Sequence, residues 1–112
     1  MTTPLPLEID CKSVKAKLAA NLPFLFLDCR EKNEFDNVRI ACTTLMPMSE
    51  LGQRVAELEA HKQQEIVVHC HHGGRSMRVT QWLRQQGFDK VQSMAGGIDA
   101  WAIEIEPGLA RY

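Results

Sequence analysis

The sequence predicts an α/β fold, a parallel sheet covered by helices on both faces, and three observations carry that expectation. Short apolar runs alternate along the chain with segments of helical periodicity, the pattern of strands joined by crossover helices. The runs Phe24-Leu25-Phe26-Leu27 and Ile66-Val67-Val68 are continuous rather than alternating, as expected of strands buried on both faces. No Pro-, Gly- or Ser-rich linker divides the 112 residues, a length that suits one core, so residues 1–112 read as a single domain.

The elements follow in chain order. Residues 5–9 form a short first strand, and Asp10 stands where an N-cap accepts from the free amides of a helix over residues 11–21. Val14, Leu18 and Leu22 repeat every four residues and mark its buried stripe. The apolar run after Pro23 is the second strand and ends at Asp28. Residues 31–38 allow only a short helix, and residues 41–47 a weak strand closed by Pro47. Ser49 caps a helix through Leu51, Val55 and Leu58, and residues 65–69 make a central strand. A glycine loop then leads into a helix over residues 75–86, with Val79, Trp82 and Leu83 inward and Gly87 at its C-terminal cap. Residues 90–93 form a fifth strand, and the stretch GGIDAW turns into a last short helix.

Composition excludes several function classes. Thirteen basic against fourteen acidic residues, with no basic block, leave no electrostatic footprint for nucleic acid. No apolar run is long enough for a bilayer, and the start MTTPLPLEID lacks the basic and apolar regions of a secretory signal. A cytoplasmic location without membrane contact is therefore the expectation. The cysteines Cys11, Cys29, Cys42 and Cys70 match no CxxC zinc spacing, and in a reducing compartment they are expected as free thiols.

The chemistry concentrates in VVHCHHGGRSM, residues 67–77. Ligand sites of open parallel sheets lie beyond the carboxyl ends of the strands, and Cys70 follows such an end. Gly73 and Gly74 let the following loop curl so that successive amides converge on one point, and the next helix adds its unpaired amides. Together with the Arg75 guanidinium they favour a Cys70 thiolate.

Three motifs carry a family resemblance: FLFLDCRE with Asp28 and Arg30 at a strand end, HCHHGGRS around Cys70, and MAGGIDAW near the C-terminus. The chain resembles a single-domain rhodanese of the sulfurtransferase family, from LEID to LARY. The resemblance implies a three-layer α/β/α fold around a five-stranded parallel sheet. It also implies that Cys70 is a catalytic nucleophile that takes sulfur from a small anionic donor such as thiosulfate or a persulfide, becoming a persulfide itself. The sulfur then passes to a thiol or cyanide acceptor, a thioredoxin-like protein among the candidates. The amides of His71, His72, Gly73, Gly74, Arg75 and Ser76 would hold the persulfide's charge. Arg75 would bind the donor, the histidines would assist when protonated, and Asp28 and Arg30 would support the loop. No cofactor is expected, because the reaction exchanges sulfur for sulfur.

Rival readings are weaker. Cysteine-dependent phosphatases and arsenate reductases enclose five residues between Cys and Arg, whereas Cys70 and Arg75 enclose four. A metal site at His69, Cys70, His71 and His72 would need four consecutive residues to wrap one ion, so no metal is expected. A non-catalytic binding or sulfur-carrier module is the alternative of a different class, since fold alone does not establish activity. His69 reads as a packed residue, His61 as a solvated one, and Cys11 and Cys42 as packing or chance. Cys29 reads chiefly as a small buried hydrophobe, with a second reading as a thiol that resolves a Cys70 persulfide to a disulfide. Where the family commonly shows His-Ile-Pro-Gly-Ala, this chain has Arg39-Ile40-Ala41-Cys42-Thr43, which leaves the local turn open.

Overall fold

The computed structural model describes residues 4–112. Strand β1 (Glu8–Ile9) is shorter than the apolar pattern predicts. Pro6 has no amide to donate to a ladder, and the carbonyls of Leu5 and Pro6 instead accept from the Arg84 and Gln92 side chains. Asp10 then caps α1 (Cys11–Ala19), its carboxylate accepting from the Ser13 amide at 2.7 Å. The helix stops before residue 21, because Asn21 takes a left-handed conformation with φ 53°. Val14 is buried, but Leu22 lies past the turn, off the stripe, and is 50% exposed.

Strand β2 (Leu25–Asp28) leads to α2 (Lys32–Asn37), and the edge strand β3 (Thr44–Leu45) follows. The helix expected after Ser49 is not continuous. A 3₁₀ turn at Met48–Glu50, α3 (Leu51–Arg54) and a second 3₁₀ stretch at Val55–His61 take its place. Ser49 caps nothing; it lies inside the first turn and donates to Glu31 Oε1. Gly52 weakens the α-helix by about 1 kcal/mol, and the Arg54–Glu57 and Glu59–Lys62 pairs, three residues apart, suit the tighter winding. Leu51 and Leu58 are buried nonetheless.

Strand β4 (Ile66–His69), α4 (Gly74–Gln85), β5 (Val91–Met94) and α5 (Gly97–Glu104) complete the chain, within a residue of their predicted bounds where bounds were read. Gly87 closes α4 at φ 95°. The five strands are parallel in the order β1-β5-β4-β2-β3, the expected sheet.

Alternate residues of the central strands face opposite helical layers. Leu27, Ile66 and Val68 pack with Leu51, Leu58, Val79 and Leu83, and Phe26 and Val67 pack with Val14, Ile98 and Trp101. The chain thus has α3 and α4 on one face and α1 and α5 on the other. From β2 the next strand is laid to one side of the sheet, and from β4 to the other. Such a divergence opens a crevice at the carboxyl ends of β2 and β4. Among the described residues no helix is long and apolar enough to cross a membrane.

Candidate functional site

Cys70 follows β4 at that crevice and is 1% exposed. Gly73, at φ 111°, bends the chain into α4. The bend brings two loop amides onto the sulfur, with Gly73 N 3.0 Å and Ser76 N 3.3 Å from Cys70 Sγ. Ser76 Oγ lies 3.4 Å from the same atom and 2.7 Å from Ser93 Oγ on β5. A hydroxyl has one proton and two lone pairs, so Ser93 can donate to Ser76 while Ser76 donates to the sulfur. Above the sulfur is a pocket of about 300 Å³ lined by Cys70, His71, His72, Gly74, Arg75 and Arg78.

These donors make Cys70 acidic. The neighbouring Cys29 thiol has the largest effect, followed by the Ser76 hydroxyl and the Ser76 and Gly73 amides. Against the opposing effect of burial they lower the Cys70 pKa from 9.0 to about 4. Cys29 moves the other way, held protonated by its contact with Cys70 and by burial.

Arg75 points to a carboxylate rather than standing free. Its two terminal nitrogens donate to Glu34 Oε1 and Oε2 at 2.6 and 3.0 Å. That pairing, reinforced by a hydrogen bond from the Tyr112 hydroxyl at 2.7 Å, pulls the Glu34 pKa from 4.5 down to about 2. Tyr112 in turn accepts from Arg30 Nη1 at 2.9 Å and stacks on His71 with ring centres 3.8 Å apart. Arg30 and Asp28 are wholly buried and joined by three side-chain contacts of 2.6 to 3.1 Å, and Arg30 also donates to the Val38 carbonyl. The Asp-x-Arg unit therefore reaches the loop through Tyr112, which lies between Arg30 and His71.

The last helix holds the loop's other end. The amides of Ile98 and Asp99, in the first turn of α5, donate to the carbonyls of Cys70 and His71 at 2.8 and 3.1 Å. This approach requires glycine at 97, where φ is 60° and a Cβ would stand 2.4 Å from the Cys70 carbonyl oxygen.

Comparison with known proteins fits this arrangement. The family model named "Rhodanese-like domain" matches residues 10–104. The chain belongs to the rhodanese-like family. A sulfurtransferase of Allochromatium vinosum is 34% identical over 85% of this chain and 87% of its own length. A rhodanese-related protein of Thermoplasma volcanium superposes with a TM-score of 0.79 at 28% identity, covering 96% of this chain and all of that one. The chloroplastic Rhodanese-like/PpiC domain-containing protein 12 of Arabidopsis thaliana is 31% identical over 77% of this chain, which spans only 29% of its length.

Several residues of this rhodanese-like site escaped the sequence reading. Glu34, Tyr112 and Ser93 reach it from distant parts of the chain, and no local spacing signals such contacts. Arg78 follows Arg75 by one helical turn and lines the pocket as well. His69 lies on the opposite side of its strand from the pocket. It is buried, packs edge-on against Phe26 with ring centres 5.4 Å apart, and its pKa is lowered by burial. His72 is exposed, with Nδ1 3.9 Å from Asp99 Oδ2. Among the described residues no group of three or more His, Cys, Asp or Glu side chains converges as metal ligands. Cys42 sits exposed at φ 72°, at the position where the resembling family has glycine, and Thr43 closes the turn on the Ile40 carbonyl.

Proposed function

We propose that this chain is a sulfurtransferase that carries a sulfane sulfur on Cys70. The thiolate attacks the outer sulfur of an anionic donor such as thiosulfate. A new S–S bond forms at Cys70, the donor's S–S bond breaks, and sulfite leaves with the electron pair. A thiol or cyanide acceptor then attacks the outer sulfur and restores the Cys70 thiolate.

The observation that carries this reading is the pair of backbone amides on Cys70 Sγ, from Gly73 at 3.0 Å and Ser76 at 3.3 Å. They stabilise a negative sulfur before any substrate arrives and need no reorganisation during the reaction. The loop amides of His71, His72, Gly74 and Arg75 frame the pocket where the outer sulfur and the leaving sulfite reside. Arg75, tied to Glu34, sets the loop's position, while Asp28 and Arg30 act on it through Tyr112. The family membership and the Allochromatium vinosum sulfurtransferase support the same reaction class. Residues 1–112 act here as one domain that meets a small sulfur donor and a thiol or cyanide acceptor, a thioredoxin-like protein included, in the cytoplasm, with no cofactor.

Intact mass after incubation with thiosulfate tests the proposal. Sampled immediately after mixing, the wild-type chain carries one added sulfur, mapped to Cys70, and it forms thiocyanate when cyanide is present from the start. Cys70→Ser gains none and forms no thiocyanate while retaining the fold. A wild type that neither gains mass nor makes thiocyanate would leave a binding module as the reading.

A further inference from the structure

Cys29 does more at this site than fill space beside Cys70. In the parallel register Asp28 stands opposite His69, and the Cys29 amide continues the ladder by donating to the His69 carbonyl at 3.0 Å. Cys29 and Cys70 are therefore the next pair across β2 and β4. Adjacent strands are about 4.8 Å apart, inside the roughly 4.4–6.8 Å between Cα atoms that a disulfide spans. Both side chains are 1% exposed and belong to the same apolar cluster. Neither remaining cysteine competes for this contact, since Cys11 packs across the sheet and Cys42 is exposed in a loop.

The pocket and Cys29 also differ in direction. The pocket is lined by Cys70 and the loop after it, and Cys29 is not part of its wall. An outer sulfur carried by Cys70 lies toward the pocket, which leaves the inner sulfur open to Cys29 from the core. Thiols displace along the line of the S–S bond they break.

We propose that Cys29 is a resolving thiol that converts the Cys70 persulfide to sulfide and a Cys29–Cys70 disulfide. This rests on the persulfide reading above. The Cys29 sulfur forms a bond to Cys70 Sγ, the bond from Sγ to the outer sulfur breaks, and the outer sulfur leaves with the electron pair. It takes up the Cys29 proton and departs as hydrogen sulfide. The sulfane sulfur is reduced and the two cysteines are oxidised, so no outside oxidant enters. A dithiol reductant then reopens the disulfide by thiol exchange, which makes the chain a dithiol-dependent, sulfide-releasing enzyme as well as a sulfur carrier.

The two cysteines do not compete for the donor. In the resting site Cys29 is held protonated by the adjacent Cys70 thiolate and by burial. Once Cys70 carries the extra sulfur, negative charge moves outward to the outer atom and the constraint on Cys29 relaxes.

The test loads wild type and Cys29→Ala with thiosulfate, removes excess donor, and follows intact mass and released sulfide without added thiol. Wild type releases one sulfide per loaded chain and ends two hydrogens lighter than the reduced protein, with a peptide bridge joining Cys29 to Cys70. Dithiothreitol restores the reduced mass. Cys29→Ala keeps its added sulfur about tenfold longer, having lost the neighbouring thiol's advantage of proximity. Wild type that keeps its sulfur as long as the variant does, or decays without the bridge, overturns the resolving role and leaves the persulfide reading standing. If neither protein gains a sulfur, both readings fall. Bridge mapping in wild type decides the matter even if the variant does not fold.

Discussion

Arg75 of the loop and Glu34 of α2, separated by 41 residues in sequence, meet in a two-pronged ion pair at 2.6 and 3.0 Å. Both side chains are mostly shielded, at 30% and 17% exposure. A paired guanidinium in that geometry fixes the start of α4 more firmly than it attracts a free anion. Pocket-lining Arg78 is the exposed arginine of the two, and among the described residues it has no ion-pair partner.

Glu34→Gln tests that pairing through stability. The carboxylate's pKa is lowered from 4.5 to about 2, so its contribution is complete above pH 4.5 and disappears as pH falls through 2. At pH 7 the variant is expected to lose about 1–2 kcal/mol, the difference between hydrogen bonds to a charged and to a neutral partner. Urea unfolding at descending pH should bring the two proteins together between those limits. A constant gap across the range would assign the loss to something other than the ion pair.

Cys70 reactivity has its own pH signature. With its pKa lowered from 9.0 to about 4, the thiolate is present throughout the neutral range, and alkylation by iodoacetamide should rise with a midpoint near the lower value. The sign for stability is the same as for a depressed carboxylate: the contribution is complete above pH 9 and is lost as pH falls through 4. An alkylation midpoint above 8 would refute an ionised resting cysteine.

Gly97→Ala should harm the site and the fold together. A methyl group there meets the Cys70 and His71 carbonyl oxygens at 2.4 and 2.5 Å, both of them backbone atoms that cannot swing aside. Left-handed strain adds to overpacking, and together they cost about 2–4 kcal/mol. The α5 amides that hold the loop must move as well, so iodoacetamide labelling of Cys70 should lose its acid midpoint. Normal stability in this variant would mean that the loop yields more easily than its hydrogen bonds imply.

The elements that were legible in sequence are those governed by local chemistry. Asp10, the continuous apolar strands, Gly87 and the Cys70 loop each declare themselves within a few residues. The segment after Pro47 misled because its i, i+4, i+7 spacing reads as an α-helical stripe, whereas Leu51 and Leu58 are buried from a backbone that changes from α to 3₁₀ winding between them. Leu22 misled because Asn21 breaks the helix with a left-handed turn that periodicity does not register. At the site, the place of Cys70 just beyond β4 was plain, but its acidity depends on Cys29 and Ser76, and Ser76 is buttressed by Ser93. Those contacts come from strand order, which places β2 and β5 on either side of β4.

Cys42 offers a stabilising substitution. A non-glycine residue at φ 72° bears roughly 1–2 kcal/mol of steric strain. Glycine removes it but gains conformational freedom in the unfolded chain, which offsets about 0.4–1 kcal/mol. The net expectation for Cys42→Gly is a gain of about 0.5–1 kcal/mol, read as a raised urea midpoint with an unchanged slope. Since the side chain is exposed, no packing is lost.

Ser93→Ala and Ser76→Ala separate direct from relayed stabilisation of the sulfur. Ser76 reaches Cys70 with both its amide and its hydroxyl, whereas Ser93 touches only Ser76, at 2.7 Å. Removing the Ser76 hydroxyl deletes a group that lowers the Cys70 pKa, and the amides of Gly73 and Ser76 remain. The alkylation midpoint should therefore rise in Ser76→Ala but stay below the ordinary thiol value. Ser93→Ala should raise it by less, because Ser76 keeps its proton for the sulfur and loses only the polarising donor behind it. Equal shifts in the two variants would show that Ser93 sets the direction of the Ser76 proton outright, so that without it the hydroxyl turns to the Gly73 carbonyl, 3.2 Å away.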